Sequence, residues 1–206
     1  MPVDLADLVG QGRTAVLTME MQQGVVGDLS SFPELAAAVR AGNVIDNLAR
    51  LLQSARAAGV PVVHCTAGFR PDRRGSSANA PLMTAMLRRP EHLLEGSAAV
   101  ELVAPLGPLD SDVVSHRRHG VSPFIGTSLD PTLRAMGVST VVATGVSLNL
   151  GILGLTIEAV NLGYRVVVVT DAVAAVPPDY ADTVVRHTLA LVATLATVDE
   201  VAAVLR

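Results

Sequence analysis

The sequence predicts a three-layer α/β/α protein on a doubly wound, six-stranded parallel sheet, Rossmann-like in its connections. Two observations carry this expectation. Short β-branched runs alternate along the chain with longer amphipathic stretches, the pattern of successive βαβ units whose sheet is covered on both faces. With 206 residues, 50% of them hydrophobic, the chain can also bury a substantial core, and one domain over 1–206 is expected.

Strands are expected at 15–20, 61–66, 112–116, 140–144 and 165–170, with a short last one at 194–197. Between the first two, Leu35, Val39, Val44, Leu48, Leu51 and Leu52 recur at helical spacing, which predicts a helix over 33–58 stopped by Gly59. A helix over 149–162 ends the same way at Gly163, and two more are expected at 179–193 and 199–205. Right-handed crossovers place these helices on both faces, so ligands should sit beyond the carboxyl ends of the strands. Residues 68–80, rich in Gly, Arg, Ser and Asn, read as a long loop over that edge, suited to a lid or a substrate loop.

Composition narrows the function. A net charge of -4 with interspersed signs offers no basic stripe for nucleic acid or an anionic membrane surface, and no apolar stretch reaches the roughly 18 residues that span a bilayer. The first 13 residues lack the basic start and apolar run of a signal peptide, so a cytoplasmic location is expected. All 15 basic residues are arginine, which excludes a Schiff-base lysine and a lysine general base. The single cysteine, Cys65, cannot form an internal disulfide, and no His/Asp/Glu set has convincing metal-ligand spacing. Neither a metal nor a cofactor is expected.

The strand ends hold the candidate chemistry. Glu20 ends an apolar first strand, where partial desolvation suits a general acid or base; a structural, hydrogen-bonded carboxylate is the competing reading. After the third strand, His116, Arg117, Arg118 and His119 gather cations at the same edge, where a guanidinium can bind a carboxylate in two-pronged fashion; a solvated loop is equally compatible. The turn from Val146 through Ser147 and Asn149 to Gly151 enters a helix, whose backbone N–H groups can hold an anion, although glycine there also serves close packing. Asp171 reads as a cap. Cys65, next to His64, is expected to be a buried, inert thiol, with a relocated nucleophile as the weaker alternative.

Taken together, residues 15–22, the Ser122-Pro123-Phe124-Ile125-Gly126-Thr127-Ser128-Leu129 stretch, residues 144–151 and residues 163–172 resemble the isochorismatase-like hydrolase superfamily. The similarity spans nearly the whole chain. It implies an aspartate at position 20, a lysine at 118 and a cysteine nucleophile at 151, where this chain has Glu20, Arg118 and Gly151. It further implies a cis peptide at Val146–Ser147, a small-molecule substrate, a homo-oligomer (dimer or tetramer), and substrate contacts from Gln22, His119, Phe124, Val146, Ser147, Asn149 and Gly151. Without a thiol at 151 the family's thioester route is closed. Acid–base chemistry stays open, because true isochorismatases resemble this chain in having glycine at that position and relying on the strand-one carboxyl. The expected function is therefore a thiol-independent hydrolase or lyase of a small anionic molecule, with Glu20 as acid or base and Arg118 as charge clamp. The alternative is a catalytically silent relative that binds a ligand or partner.

Overall fold

A computed structural model of the chain describes residues 4–10 and 12–205. Six strands form one parallel sheet: β1 (Thr14–Met19), β2 (Val62–Ala67), β3 (Val113–Arg117), β4 (Thr140–Val146), β5 (Arg165–Ala174) and β6 (Thr194–Ala196), in the order β3-β2-β1-β4-β5-β6. β1 lies between β2 and β4, pairing Met19 with Cys65 on one side and with Gly145 on the other. Every residue of β1, β2 and β4 is buried, as a sheet covered on both faces requires. All six expected strands are present. β5 runs on to Ala174 because a register shift between Ala143 and Gly145 lets it follow β4 into the next turn.

One face of the sheet is covered by α1 (Leu5–Val9), α3 (Val44–Ala57) and α8 (Val198–Val204). Leu48, Leu51 and Leu52 of α3 are fully buried there, each contributing about 1.5–3 kcal/mol relative to exposure. The other face carries α5 (Leu129–Ala135), α6 (Leu153–Asn161) and α7 (Pro178–His187) over a cluster that includes Leu17, Met19, Cys65 and Leu155. α2 (Pro33–Ala41) and α4 (Pro81–Leu87) send Val39 and Met83 into the same cluster as α3, and other residues of both helices reach the carboxyl edge.

Two expectations are corrected, and three helices are added. The single helix expected over 33–58 is two, because Gly42 ends the first and Asn43, in the left-handed region at φ 50°, turns the chain into the second. The helix expected over 179–193 stops at His187, after which Thr188 leaves the helical region and Leu189–Leu191 forms a 3₁₀ turn. The helices α1, α4 and α5 escape a periodicity reading because five to seven residues span no more than two turns. Among the described residues no helix is long and apolar enough to cross a membrane.

Candidate active site

The strand order reverses direction between β1 and β4, so their connections leave toward opposite faces and open a crevice at their carboxyl ends. Two local features shape that crevice. Gly145, at φ 100°, lets β4 approach β1 so closely that a Cβ would stand 2.3 Å from the Met19 carbonyl oxygen. Glu20 itself takes a left-handed conformation, φ 51°, while its N–H donates to the Cys65 carbonyl at 2.9 Å. The chain thus turns sharply at the strand end and leaves Glu20 lining the crevice.

A cleft of about 500 Å³ occupies this position. Its floor is polar: Glu20, Arg117, Ser147 and Asn149, with Gly151 beside them. Its walls are largely apolar, formed by Phe32 and Leu35 at the start of α2, Leu82 and Met86 of α4, and Leu150 and Val176. Glu34 and Arg89 add one charge of each sign to the lining. Arg89 donates to the Ser31 carbonyl at 2.6 Å and stacks over Phe32, its guanidinium carbon 5.6 Å from the ring centroid.

The arginine that meets Glu20 is Arg117, not Arg118. Arg117 ion-pairs with Glu20 through Nη2, and its Nε donates to the Gly120 carbonyl. Its side chain is only 5% exposed, and Nη1 is buried without a protein partner. Arg118 points the other way, 48% exposed, donating to Glu95 at 2.6 Å and holding that carboxyl below its ordinary value. The reason is strand parity. Ser115 and Arg117 of β3 point inward, so His116 and Arg118 must point out.

The other expected site residues divide. Ser147, Asn149 and Gly151 line the cleft, and the Val146–Ser147 peptide is cis. Val146 contributes that peptide, while its side chain packs in the core. Gln22 is fully buried outside the cleft: its Nε2 donates to the carbonyls of Ala67 and Val100 at 2.8 and 2.9 Å, and its Oε1 accepts from the Ala67 N–H at 2.8 Å. It clamps the end of β2 to the chain near Val100 and has no side-chain N–H left for a ligand. Phe124 lies in the core against Tyr164, ring centroids 6.0 Å apart, and not in the cleft. His119 lines a smaller chamber next to the cleft.

Cys65 is fully buried, and burial pushes its thiol up to about 12, which removes it as a nucleophile near neutral pH. Gly151 sits where a Cβ would lie 3.0 Å from the Val146 carbonyl oxygen and 3.2 Å from Met19 Cε. Asp171 accepts from the Val198 N–H at 2.8 Å and so caps α8. No group of three or more His, Cys, Asp or Glu among the described residues is placed to hold a metal ion. The sequence places Arg117 in the cationic cluster but gives the clamp role to Arg118, and it offers no reading of Phe32, Met86 and Arg89. For Met86 and its neighbours a signal was present, since Pro81 is a favoured first helical residue and marks the start of α4.

The isochorismatase domain matches residues 14–200. The ureidoacrylate amidohydrolase RutB of Pseudomonas savastanoi pv. phaseolicola is 30% identical over 183 residues, 82% of this chain and 74% of the relative. The maleamate amidohydrolase of Pseudomonas putida is 31% identical over 172 residues, covering 80% and 74%. Among solved structures, an isochorismatase family protein from Desulfovibrio vulgaris superposes with a TM-score of 0.81 at 28% identity, covering 95% of this chain and 99% of its own.

Proposed function

Because this chain belongs to the isochorismatase family, we propose that it is a hydrolase or lyase of a small anionic metabolite that works without a cysteine nucleophile. Glu20 is the acid–base group in this reading, and Arg117 takes the charge-clamp role expected of Arg118. The observation that carries it is the Glu20–Arg117 pair on the floor of the cleft, with Arg117 Nη1 buried and unpartnered. A buried guanidinium N–H left unpaired is costly, and an incoming carboxylate oxygen would satisfy it.

Gly151 has no side chain to form a thioester, so water must attack directly or a proton must be delivered to the leaving group. The ion pair with Arg117 uses Glu20 as a carboxylate, the form in which it can serve as a general base. Arg117 cannot exchange protons near neutral pH and is left to bind and polarise. The family relatives support an anionic amide as substrate: ureidoacrylate and maleamate are both names for carboxylates that also carry an amide. Ile157 and Val160, exposed on α6, support the homo-oligomer that the family resemblance implies. Sedimentation as a monomer at all concentrations would remove that part of the reading.

Glu20→Gln is the deciding variant. Across a panel of small amides, vinyl ethers and carboxylic acids, it should lower turnover by about 100- to 10,000-fold while the melting temperature stays near wild type. Retained turnover would overturn the proposal. Departure from the residues that the family resemblance implies at positions 20, 118 and 151 favours one other reading, a ligand-binding relative without turnover. That reading is supported if the wild-type protein binds panel members and converts none.

A further inference from the structure

Beside the cleft lies a small chamber of about 20 Å³, which shares Glu20, Phe32, Met86 and Arg117 with the lining of the cleft. A space holding a single water needs about 10–15 Å³ and two to four polar partners. The chamber supplies the room, and its lining includes Glu20, Arg117, His92 and His119 among otherwise apolar side chains. Two of these groups are buried with polar atoms unpaired in the protein: both ring nitrogens of His92, which is 2% exposed, and Nη1 of Arg117. His92 is held between Phe32 and Phe69, ring centroids 5.4 and 5.8 Å away, so its ring has little freedom to seek a partner elsewhere.

We propose that this chamber binds one water molecule, held by His92 and Arg117 against Glu20, and that this is the water used in hydrolysis. The inference rests on the hydrolase reading above. Hydrogen-bond accounting gives the water an orientation. Burial, with Arg89 and Arg73 nearby, pushes His92 down to about 4, so its imidazole is neutral and one ring nitrogen is an acceptor. The water donates one O–H to that nitrogen and the other to the Glu20 carboxylate. It accepts from one N–H of Arg117 Nη1, whose second N–H remains for a ligand in the cleft. One lone pair is left for the substrate.

In amide hydrolysis the water oxygen forms a bond to the carbonyl carbon, its proton passes to Glu20, and the carbonyl π pair moves onto oxygen. Collapse of the adduct breaks the C–N bond, and the amine leaves with the proton from Glu20. Every atom and charge is returned except the added water. His92 is a positioning residue in this scheme, since it touches the water and not the substrate.

The test joins diffraction with kinetics on wild type, His92→Phe and His92→Gln. An ordered water between residues 92, 117 and 20 is expected in wild type and His92→Gln and lost in His92→Phe. On a panel amide that wild type hydrolyses, His92→Phe should lower kcat about 10- to 100-fold with KM little changed, and His92→Gln should recover most of it. A dry chamber in the wild-type crystal overturns the inference whatever the turnover, as does an occupied chamber with unchanged kcat in His92→Phe. Failure of the hydrolase reading shows separately, as no turnover of any panel member by wild type. If His92→Phe does not fold, the recovery by His92→Gln is compared with His92→Leu.

Discussion

Among the described residues, two largely buried clusters pair a carboxylate with an arginine at opposite ends of β3. At its amino end Asp112 accepts from Arg56 Nη2 and Nε at 2.6 and 3.2 Å and from the Leu109 N–H at 2.8 Å. His64 reaches the same carboxylate at 3.3 Å and meets Thr18 Oγ1 at 2.7 Å on its other ring nitrogen. At the carboxyl end Arg117 meets Glu20, one guanidinium nitrogen is unpaired, and a 500 Å³ cleft opens beside them. The residue types are nearly the same, yet the first cluster has both ring nitrogens of His64 and the carboxylate engaged, while the second faces a cavity. Residue chemistry alone does not mark a site; unspent hydrogen-bonding capacity facing open volume does.

The comparison can be broken by variants on either side. Asp112→Ala strands Arg56, His64 and the Leu109 N–H, and should cost about 3–5 kcal/mol in urea unfolding while turnover per folded molecule is unchanged. A fall in turnover without loss of stability would reverse the two assignments. Arg117→Met keeps much of the side-chain volume and should lower kcat/KM about 100-fold, equivalent to about 2.7 kcal/mol, with a smaller loss of stability than Asp112→Ala. Equal stability losses would mean that the carboxyl-end pair is structural as well.

A pH titration sharpens the contrast. Burial lowers His64 and pushes His92 to about 4, so both are neutral in the folded protein, whereas the unfolded chain takes up those protons near pH 6.5. The unfolded state then binds more protons, so stability is full above about pH 6.5 and falls as pH drops toward about 4. The urea midpoint should decline over that interval, less steeply in His92→Phe, and an unchanged slope in the variant would remove His92 as a contributor. The smallest effect belongs to Gly151→Ala. The new methyl would press on Met19 and the Val146 carbonyl, so a loss of about 1 kcal/mol is expected, read as a lowered melting temperature.

Much of the scaffold was legible in the sequence. Apolar β-branched runs have one stable use in a chain with this alternation, which is why all six strands fall near their expected positions. Glu20, Ser147, Asn149 and Gly151 were also readable as cleft residues, because each follows a strand at the edge where ligands bind. The short helix α4, by contrast, supplies a cleft wall through Leu82 and Met86 but is too brief to register as periodicity.

The sequence by itself determined the doubly wound sheet, the carboxylate at the end of β1 and the lack of a thiol at position 151, since these follow from residue type and strand order. Only the tertiary structure decided that Arg117 faces inward and Arg118 outward, that Gln22 and Phe124 are spent on packing, and that His92 reaches the neighbourhood of Glu20. The physical reason is the same in each case. A strand presents successive side chains to opposite faces, so a one-residue difference in where β3 pairs with β2 exchanges the two arginines, and that register is fixed by packing across the whole sheet.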